Sequence, residues 1–211
     1  MLAPARDLPE SLVVPLRSGQ EWWYWLGGRP AIDFVNTLRE RWRRRVETLV
    51  TAGDLSLWLV EAGLLDERRR ATRALLADAR DLREAIDAGL RAAVDGSRTP
   101  RAAVGEIDAW LAHAGARPSL ALARDGAPVL GARGARDPVA AALATVALDA
   151  ARMLGTPGER ARLRVCASPT CSARFYDRSP AGRRRWCSMT GCGNQAKARR
   201  HRARTTSKET R

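Results

Sequence analysis

Apolar residues recur at helical spacing along most of the chain between residue 30 and residue 157. The longest stripe lies between Asp66 and Val94, where apolar positions follow one another at spacings of 4, 3, 4, 4 and 3. This spacing predicts one long amphipathic helix that ends at Asp95-Gly96, because residues three and four apart share a helix face. The predicted apolar face consists of Leu75, Ala79, Leu82, Ile86, Leu90 and Ala93. We expect that face to be buried within the chain, and a homodimer seam is the alternative.

Proline residues mark the starts of three further predicted helices, at Pro30, Pro100 and Pro138. A proline in the first helical turn is favourable because its φ is already helical and its missing N–H is not needed there. Asp137 precedes Pro138 as a predicted helix cap, and Asp54 is the predicted cap of a short fourth helix. The inward residues predicted for the helix at Pro100 are Val104, Ile107, Trp110 and Leu111.

Two segments lack helical spacing. The aromatic run at residues 22–25, followed by Gly27-Gly28, predicts a short strand or extended segment packed on the core. Two short apolar runs flank Asp125-Gly126, which is a strong signal for a β-hairpin turn. The sequence therefore predicts a mainly α fold with a short β-hairpin.

Positive charge is concentrated in the last quarter of the chain. Residues 160–211 contain 15 Lys and Arg against two acidic residues, whereas residues 1–159 contain 22 against 21. This asymmetry indicates a polyanionic partner for the C-terminal quarter. No segment reaches 18 uninterrupted apolar residues and no signal peptide is recognisable, so we expect no membrane span and a cytoplasmic location. The sequence at 155–158, Gly-Thr-Pro-Gly, predicts a boundary between a helical domain at 21–157 and a basic domain at 160–205.

All four cysteines lie in the basic region, in two pairs with the spacing C-x(4)-C that are separated by fifteen residues. Paired cysteines at short spacing are typical of a tetrahedral site for structural zinc, and we expect one Zn²⁺ per chain. Two disulfides are the alternative, which a cytoplasmic chain disfavours. The predicted metal ligands are Cys166, Cys171, Cys187 and Cys192.

The order of elements around the cysteines is that of a small treble-clef-like zinc finger. A strand at 163–165 precedes the first pair, a second strand at 174–176 follows it, and the second pair leads into a basic helix. Phe175 or Tyr176 is expected to shield the metal from water. Such a unit buries too little apolar surface to fold without its metal.

A basic helix after a metal site predicts binding of double-stranded DNA in the major groove. Asn194 and Gln195 are the candidates for base contacts, because amide side chains pair with adenine edges, and the arginines and lysine are expected mostly to contact phosphate. The predicted DNA-binding residues are Arg183, Arg184, Arg185, Asn194, Gln195, Lys197, Arg199, Arg200, Arg202 and Arg204. RNA binding by the same residues is one alternative, and a module that binds a small molecule or a protein is another. The sequence contains no nucleotide-binding loop or nucleophile elbow, so we expect no enzyme.

The C-terminal region resembles the CGNR zinc-finger family of bacterial proteins regarded as transcription regulators. The resemblance rests on RRWCSMTGCGN and AKARRHRAR, and the family signature stands here as Cys192-Gly193-Asn194-Gln195, with glutamine in place of arginine. The segments WLGGRPAIDFVNTL and DLSLWLVEAGLL resemble the ABATE domain that precedes such fingers. This resemblance implies a mainly helical domain that senses a ligand, with Trp25, Asp33 and Asn36 as a candidate pocket. From the residues alone, Asp33 and Asn36 suit hydrogen bonding at a helix start equally well.

Overall fold

The computed structural model describes residues 22–113, 117–133 and 137–209, and it confirms a mainly α fold with short antiparallel strand pairs. The helices are α1 (Pro30–Val35), α2 (Ala52–Glu61), α3 (Arg73–Asp95), α4 (Arg101–Leu111), α5 (Pro138–Gly155), α6 (Pro157–Arg160) and α7 (Asn194–Glu209). The strands are β1 (Leu38–Arg39), β2 (Val46–Glu47), β3 (Arg117–Leu122), β4 (Pro128–Arg133), β5 (Leu163–Val165) and β6 (Arg174–Tyr176). We call residues 22–160 the helical unit and residues 163–209 the finger.

The core of the helical unit lies where α3 packs against α4 and α5, with α1 and α2 completing it. The apolar stripe of α3 is buried in this core, with Leu76 in place of the predicted Leu75 on its buried face. Ala79, Leu82 and Ile86 are fully buried. The stripe is thus accounted for by packing within one chain, and the homodimer stays a prediction.

Helix α3 begins later than the sequence predicts. The predicted start was Asp66, but the N-cap is Thr72, whose hydroxyl accepts a hydrogen bond from the Leu75 amide at 3.0 Å. Residues 66–72 instead run beside α2, where the Arg69 amide donates to the hydroxyl of Ser56 at 2.9 Å. This contact between distant residues overrides the local helical pattern.

Two smaller predictions on helices were wrong. Helix α2 is capped by Thr51, and Asp54 closes a reciprocal capping box as the third helical residue. Val104 on α4 is 53% exposed, because the helix turns Ala103 toward the core instead. Ile107 and Trp110 are buried as predicted.

Helix α5 forms as predicted behind its cap, because the Asp137 carboxylate accepts from the amides of Val139 and Ala140. Among the described residues, α5 is the one helix long and apolar enough to cross a membrane, but half of it is buried inside the fold, as in a core helix. The segment at 155–158, predicted to be a linker, is not an extended loop. Helix α5 ends at Gly155 and α6 begins at Pro157, so only Thr156 separates them.

The predicted hairpin is present as β3 and β4, which pair antiparallel around Asp125-Gly126 with Leu120 opposite Leu130. Leu120 and Leu130 are 70% and 75% exposed, so the hairpin projects from the core. The aromatic run forms no strand but an irregular segment, with Trp23 buried in the core. Residues 1–21 lie outside the described residues.

Candidate metal centre and nucleic-acid interface

The four cysteine sulfur atoms form a compact cluster, all within 4.8 Å of one another. The distances from the Cys187 sulfur to those of Cys171 and Cys192 are both 3.8 Å. A tetrahedral metal with metal–sulfur bonds of about 2.3 Å places its sulfur ligands about 3.8 Å apart, so the cluster fits such an ion. These sulfur atoms are close enough to share protons as thiols, and a metal that binds all four must displace those protons.

Two similar loops present the cysteines. In the first, the Cys171 amide donates to the Ser168 carbonyl at 3.1 Å. In the second, the Gly191 amide donates to the hydroxyl of Ser188 at 3.1 Å, and a single π-helical turn (Met189–Gly193) leads into α7. In both loops the hydrogen bond therefore joins a serine to the amide three residues later.

The strand pair β5–β6 supports the cysteine loops, as the sequence predicts. Phe175 on β6 is fully buried and packs with the cysteines, so it is the aromatic residue that shields the cluster. Tyr176 packs instead against the core of the helical unit. Arg184 lies over the Phe175 ring and donates to the Cys187 carbonyl at 2.8 Å.

The strand pair β5–β6 is also built into the helical unit. Leu163 on β5 is 1% exposed and belongs to the main core. The Tyr176 amide donates to the Gly27 carbonyl at 2.8 Å. Gly27 has no room for a side chain, because a Cβ there would lie 2.7 Å from the Cγ2 atom of Ile32. The glycine pair thus lets the chain pass between α1 and the finger.

Asn36 joins the helical unit to the finger with two buried hydrogen bonds. Its amide nitrogen donates to the Arg174 carbonyl at 2.9 Å, and its amide oxygen accepts from the Arg174 N–H at 2.9 Å. Asn36 is 3% exposed, so both backbone groups of Arg174 would lack partners without it. The side-chain amide of Asn36 thus bonds to β6 as the backbone of a neighbouring strand would.

A buried ion-pair network that the sequence does not predict lies beside this joint. The Arg174 Nε atom lies 2.6 Å from a carboxylate oxygen of Asp87 on α3. Arg41 lies 3.3 Å from the same carboxylate and 2.6 Å from that of Glu84. The Arg41 amide also donates to the hydroxyl of Ser172 in the first cysteine loop at 2.9 Å. Hydrophobic patterning could not find these residues, and their one signal is that charged positions interrupt the buried face of α3.

The candidate ligand-pocket residues Trp25, Asp33 and Asn36 each have a structural contact. The Trp25 ring stacks on that of Trp58 at 5.8 Å and stays 40% exposed. The Asp33 carboxylate accepts from the Gly27 amide at 2.7 Å, and burial raises the pKa of Asp33 to about 6. Of the three, Asn36 alone lines the cleft that the described residues form beside the finger.

Helix α7 has two different faces. Gln195, Arg199 and Arg202 recur at helical spacing and line a cleft toward the helical unit, and Arg199 donates to the hydroxyl of Thr170 at 3.3 Å. Lys197 and Arg200, three residues apart, lie on the other side of the helix by its periodicity and are exposed. The Arg204 side chain lies outside the described side chains.

The remaining predicted DNA-binding residues have different surroundings. Arg183 and Arg185 are exposed, whereas Arg184 is half-buried and holds the second cysteine loop. The side chain of Asn194 is exposed and donates to the Thr190 carbonyl at 3.2 Å, across the π-helical turn. Arg183, Arg185, Lys197 and Arg200 are therefore all exposed, whereas Arg184 is a structural part of the finger.

Two family models match the chain. No curated protein matches the chain. The CGNR zinc-finger family matches residues 162–205. The ABATE family, described as "Putative stress-induced transcription regulator", matches residues 28–157, which is more than half of the chain. The chain therefore belongs to the ABATE family and carries a CGNR zinc finger.

Proposed function

We propose that this protein is a zinc-dependent transcription regulator whose finger binds double-stranded DNA. The observation that carries the proposal is the exposed cationic side of α7. Within the described part of the chain, no carboxylate lies within ion-pair distance of Lys197 or Arg200, and residues 160–211 contain 15 Lys and Arg against two acidic residues. Cations that fold without acidic partners are suited to a polyanion.

Zinc is the metal that the donor set favours. Four thiolates in a tetrahedron are typical of structural zinc, and they leave no coordination position open for a substrate. We therefore assign the metal a structural role, which is to hold the two cysteine loops together and position α7. On this proposal the protein is not an enzyme.

Duplex DNA is favoured over RNA by the surroundings of the aromatic residues in the finger. Recognition of single-stranded RNA uses exposed rings on which bases stack. Phe175 is fully buried, and Tyr176 packs on the helical core. Trp186 is half-buried beneath the Arg185 guanidinium, which lies 4.9 Å from the ring centre. A helix such as α7 fits the major groove, which is about 12 Å wide.

The two faces of α7 divide the predicted contacts. Lys197 and Arg200 are the proposed phosphate contacts of the outer face, and the exposed Arg183 and Arg185 are further proposed phosphate contacts. Asn194 at the first turn of α7 remains the candidate for a base contact, and Gln195 is the second candidate although it also borders the cleft. Base contacts determine sequence preference, whereas phosphate contacts determine affinity for any duplex.

A salt titration of duplex binding tests the proposal. If about five phosphates are contacted, the slope of log K against log salt should be about −4 to −5, because each contact contributes about 0.9. Lys197→Ala or Arg200→Ala should reduce the magnitude of the slope by about one on every sequence. Arg101→Ala is the matched control, since Arg101 is an exposed arginine on α4. Duplex binding without dependence on salt, or equal losses for all three variants, would overturn the proposal.

A further inference from the structure

A cleft of about 1010 Å³ separates the finger from the helical unit. One wall is the basic turn, by which we mean residues 40–45 between β1 and β2. The opposite wall is the inner face of α7, and the two cysteine loops form the floor. Its volume is that of a small-molecule site.

Cationic side chains line both walls of the cleft. Arg39, Arg43 and Arg44 lie on the wall of the helical unit, and Arg199 and Arg202 lie on α7. The acidic groups are Glu40 and, with zinc bound, a tetrathiolate centre with two net negative charges, so the lining keeps a net charge of about +2.

The arginines of the cleft differ in whether they already have an ion pair or a ring contact within the protein. Arg44 is ion-paired with Glu40, and its hydrogen bond holds the pKa of that carboxyl below its usual value. Arg39 lies 3.8 Å from the centre of the Tyr24 ring. Among the described residues, no carboxylate lies within ion-pair distance of Arg43 or Arg199, which are on opposite walls.

The basic turn is held in a strained and anchored conformation. Glu40 and Arg45 have φ values of 47° and 50°, which lie in the left-handed region that non-glycine residues rarely adopt. Arg41 anchors the turn from below, since its side chain is 6% exposed and ion-paired with Glu84. The turn therefore presents Arg43 to the cleft from a fixed backbone.

We propose that this cleft binds a small anion with two or more phosphate groups, held between Arg43 on the basic turn and Arg199 on α7. Arginine guanidinium groups on facing walls suit phosphates at both ends of such a molecule. A DNA duplex does not suit the cleft, because the major groove receives a helix from outside, and this face of α7 lies opposite a wall of protein.

Pyrophosphate is the probe for a direct test on the full zinc-loaded chain by titration calorimetry. We expect saturable binding at one per chain in buffers matched in ionic strength with KCl, with the zinc content unchanged afterwards. Arg43→Gln should weaken pyrophosphate binding about 10-fold and leave duplex binding unchanged. Arg200→Gln is the matched control on the outer face of α7. It should weaken duplex binding and leave pyrophosphate binding unchanged. A parallel titration uses citrate, which should bind at least 10-fold more weakly.

Three outcomes would contradict the proposal that the cleft binds phosphate groups. Equal loss of pyrophosphate binding in Arg43→Gln and Arg200→Gln would indicate diffuse attraction. Equal affinity for citrate would contradict the phosphate class. Absence of pyrophosphate binding together with weakened duplex binding in Arg43→Gln would make the basic turn a DNA contact. Failure of the proposed DNA-binding function would appear separately, as duplex binding that Arg200→Gln does not change.

Discussion

The strand pair β5–β6 and helix α7 belong to one zinc finger, yet their surroundings differ. Leu163 and Phe175 on the strands are almost fully buried, and the Asn36 side chain completes the edge of β6. Helix α7 contacts mainly the π-helical turn before it, and Lys197 and Arg200 are exposed. One half of the finger is therefore part of the protein core, and the other half is a surface that the core positions.

Loss of the metal should have the largest effect on folding, and this effect should be confined to the cysteine loops and α7. Structural zinc contributes about 10–16 kcal/mol of apparent binding free energy in small fingers. We expect Cys187→Ser, or removal of zinc by a chelator, to unfold the cysteine loops and α7 and to abolish duplex binding, while the helical unit persists.

Circular dichroism with elemental analysis measures this outcome. Wild-type protein should contain about one zinc per chain, and the chelator should cause no further change in Cys187→Ser. Zinc-free protein that keeps its full helicity and its DNA affinity would show that packing alone holds α7 in place.

Loss of one buried charge should have the next largest effect, on the half that belongs to the core. Asp87→Ala leaves the Arg174 guanidinium buried without its carboxylate, at a cost of about 3–5 kcal/mol. Urea unfolding measures this cost. The double variant Asp87→Leu/Arg174→Met should recover most of the stability, because it removes both charges. Asp87→Ala with unchanged stability would contradict the network.

Removal of the finger after residue 157 tests whether the helical unit is an independent domain, as the sequence predicts. We expect the fragment to stay helical but to lose about 2–4 kcal/mol, because Leu163 and Tyr176 no longer cover the core. Thermal unfolding followed by circular dichroism measures the loss. A fragment that is unfolded at low temperature would mean that the two regions form one domain.

The buried Asp33 predicts a smaller effect that depends on pH. Its pKa is raised to about 6, so the native state binds the proton more tightly than the unfolded state. The stability that Asp33 contributes is therefore present below pH 4 and is lost as the pH rises to about 6.

An asparagine at position 33 can still accept the hydrogen bond from the Gly27 amide, and it carries no charge. We expect Asp33→Asn to match the wild type at pH 4 and to exceed its stability by about 1–3 kcal/mol at pH 8. Urea unfolding across this range measures the difference. A constant difference at all pH values would mean that Asp33 is ionised throughout.

The smallest effect on stability is expected on α7. Arg200→Ala should change the free energy of unfolding by no more than about 0.5 kcal/mol, because an exposed side chain far from the core contributes little. The same variant should weaken binding to duplexes. A large loss of stability would mean that the outer face of α7 packs against the rest of the protein.

Local signals in the sequence predicted much of this structure. Asp137-Pro138 fixes the start of α5, Asp125-Gly126 fixes the hairpin, and the cysteine spacing predicts the cluster, because each depends on residues close together in the chain. The start of α3 was wrong because residues 66–72 are held beside α2 by the hydrogen bond from Arg69 to Ser56, which apolar spacing does not reveal.

The joint between the helical unit and the finger could not be predicted for the same reason. Arg41, Asp87 and Arg174 lie on three separate segments, and each is a charged residue that patterning assigns to the surface. The role of Asn36 was equally hidden, since its partner is a backbone group of β6. Only the assembled fold brings these groups together.

The Asn36–Arg174 joint also has a consequence for synthesis of the chain. The two residues are separated by 138 positions. At about 5–20 residues per second, a ribosome needs roughly 7–30 s to make the segment between them. During that time the Asn36 side chain faces the solvent, so the helical unit reaches its final form only when the finger emerges. A chain that stops early therefore exposes the surface on which its missing part would dock.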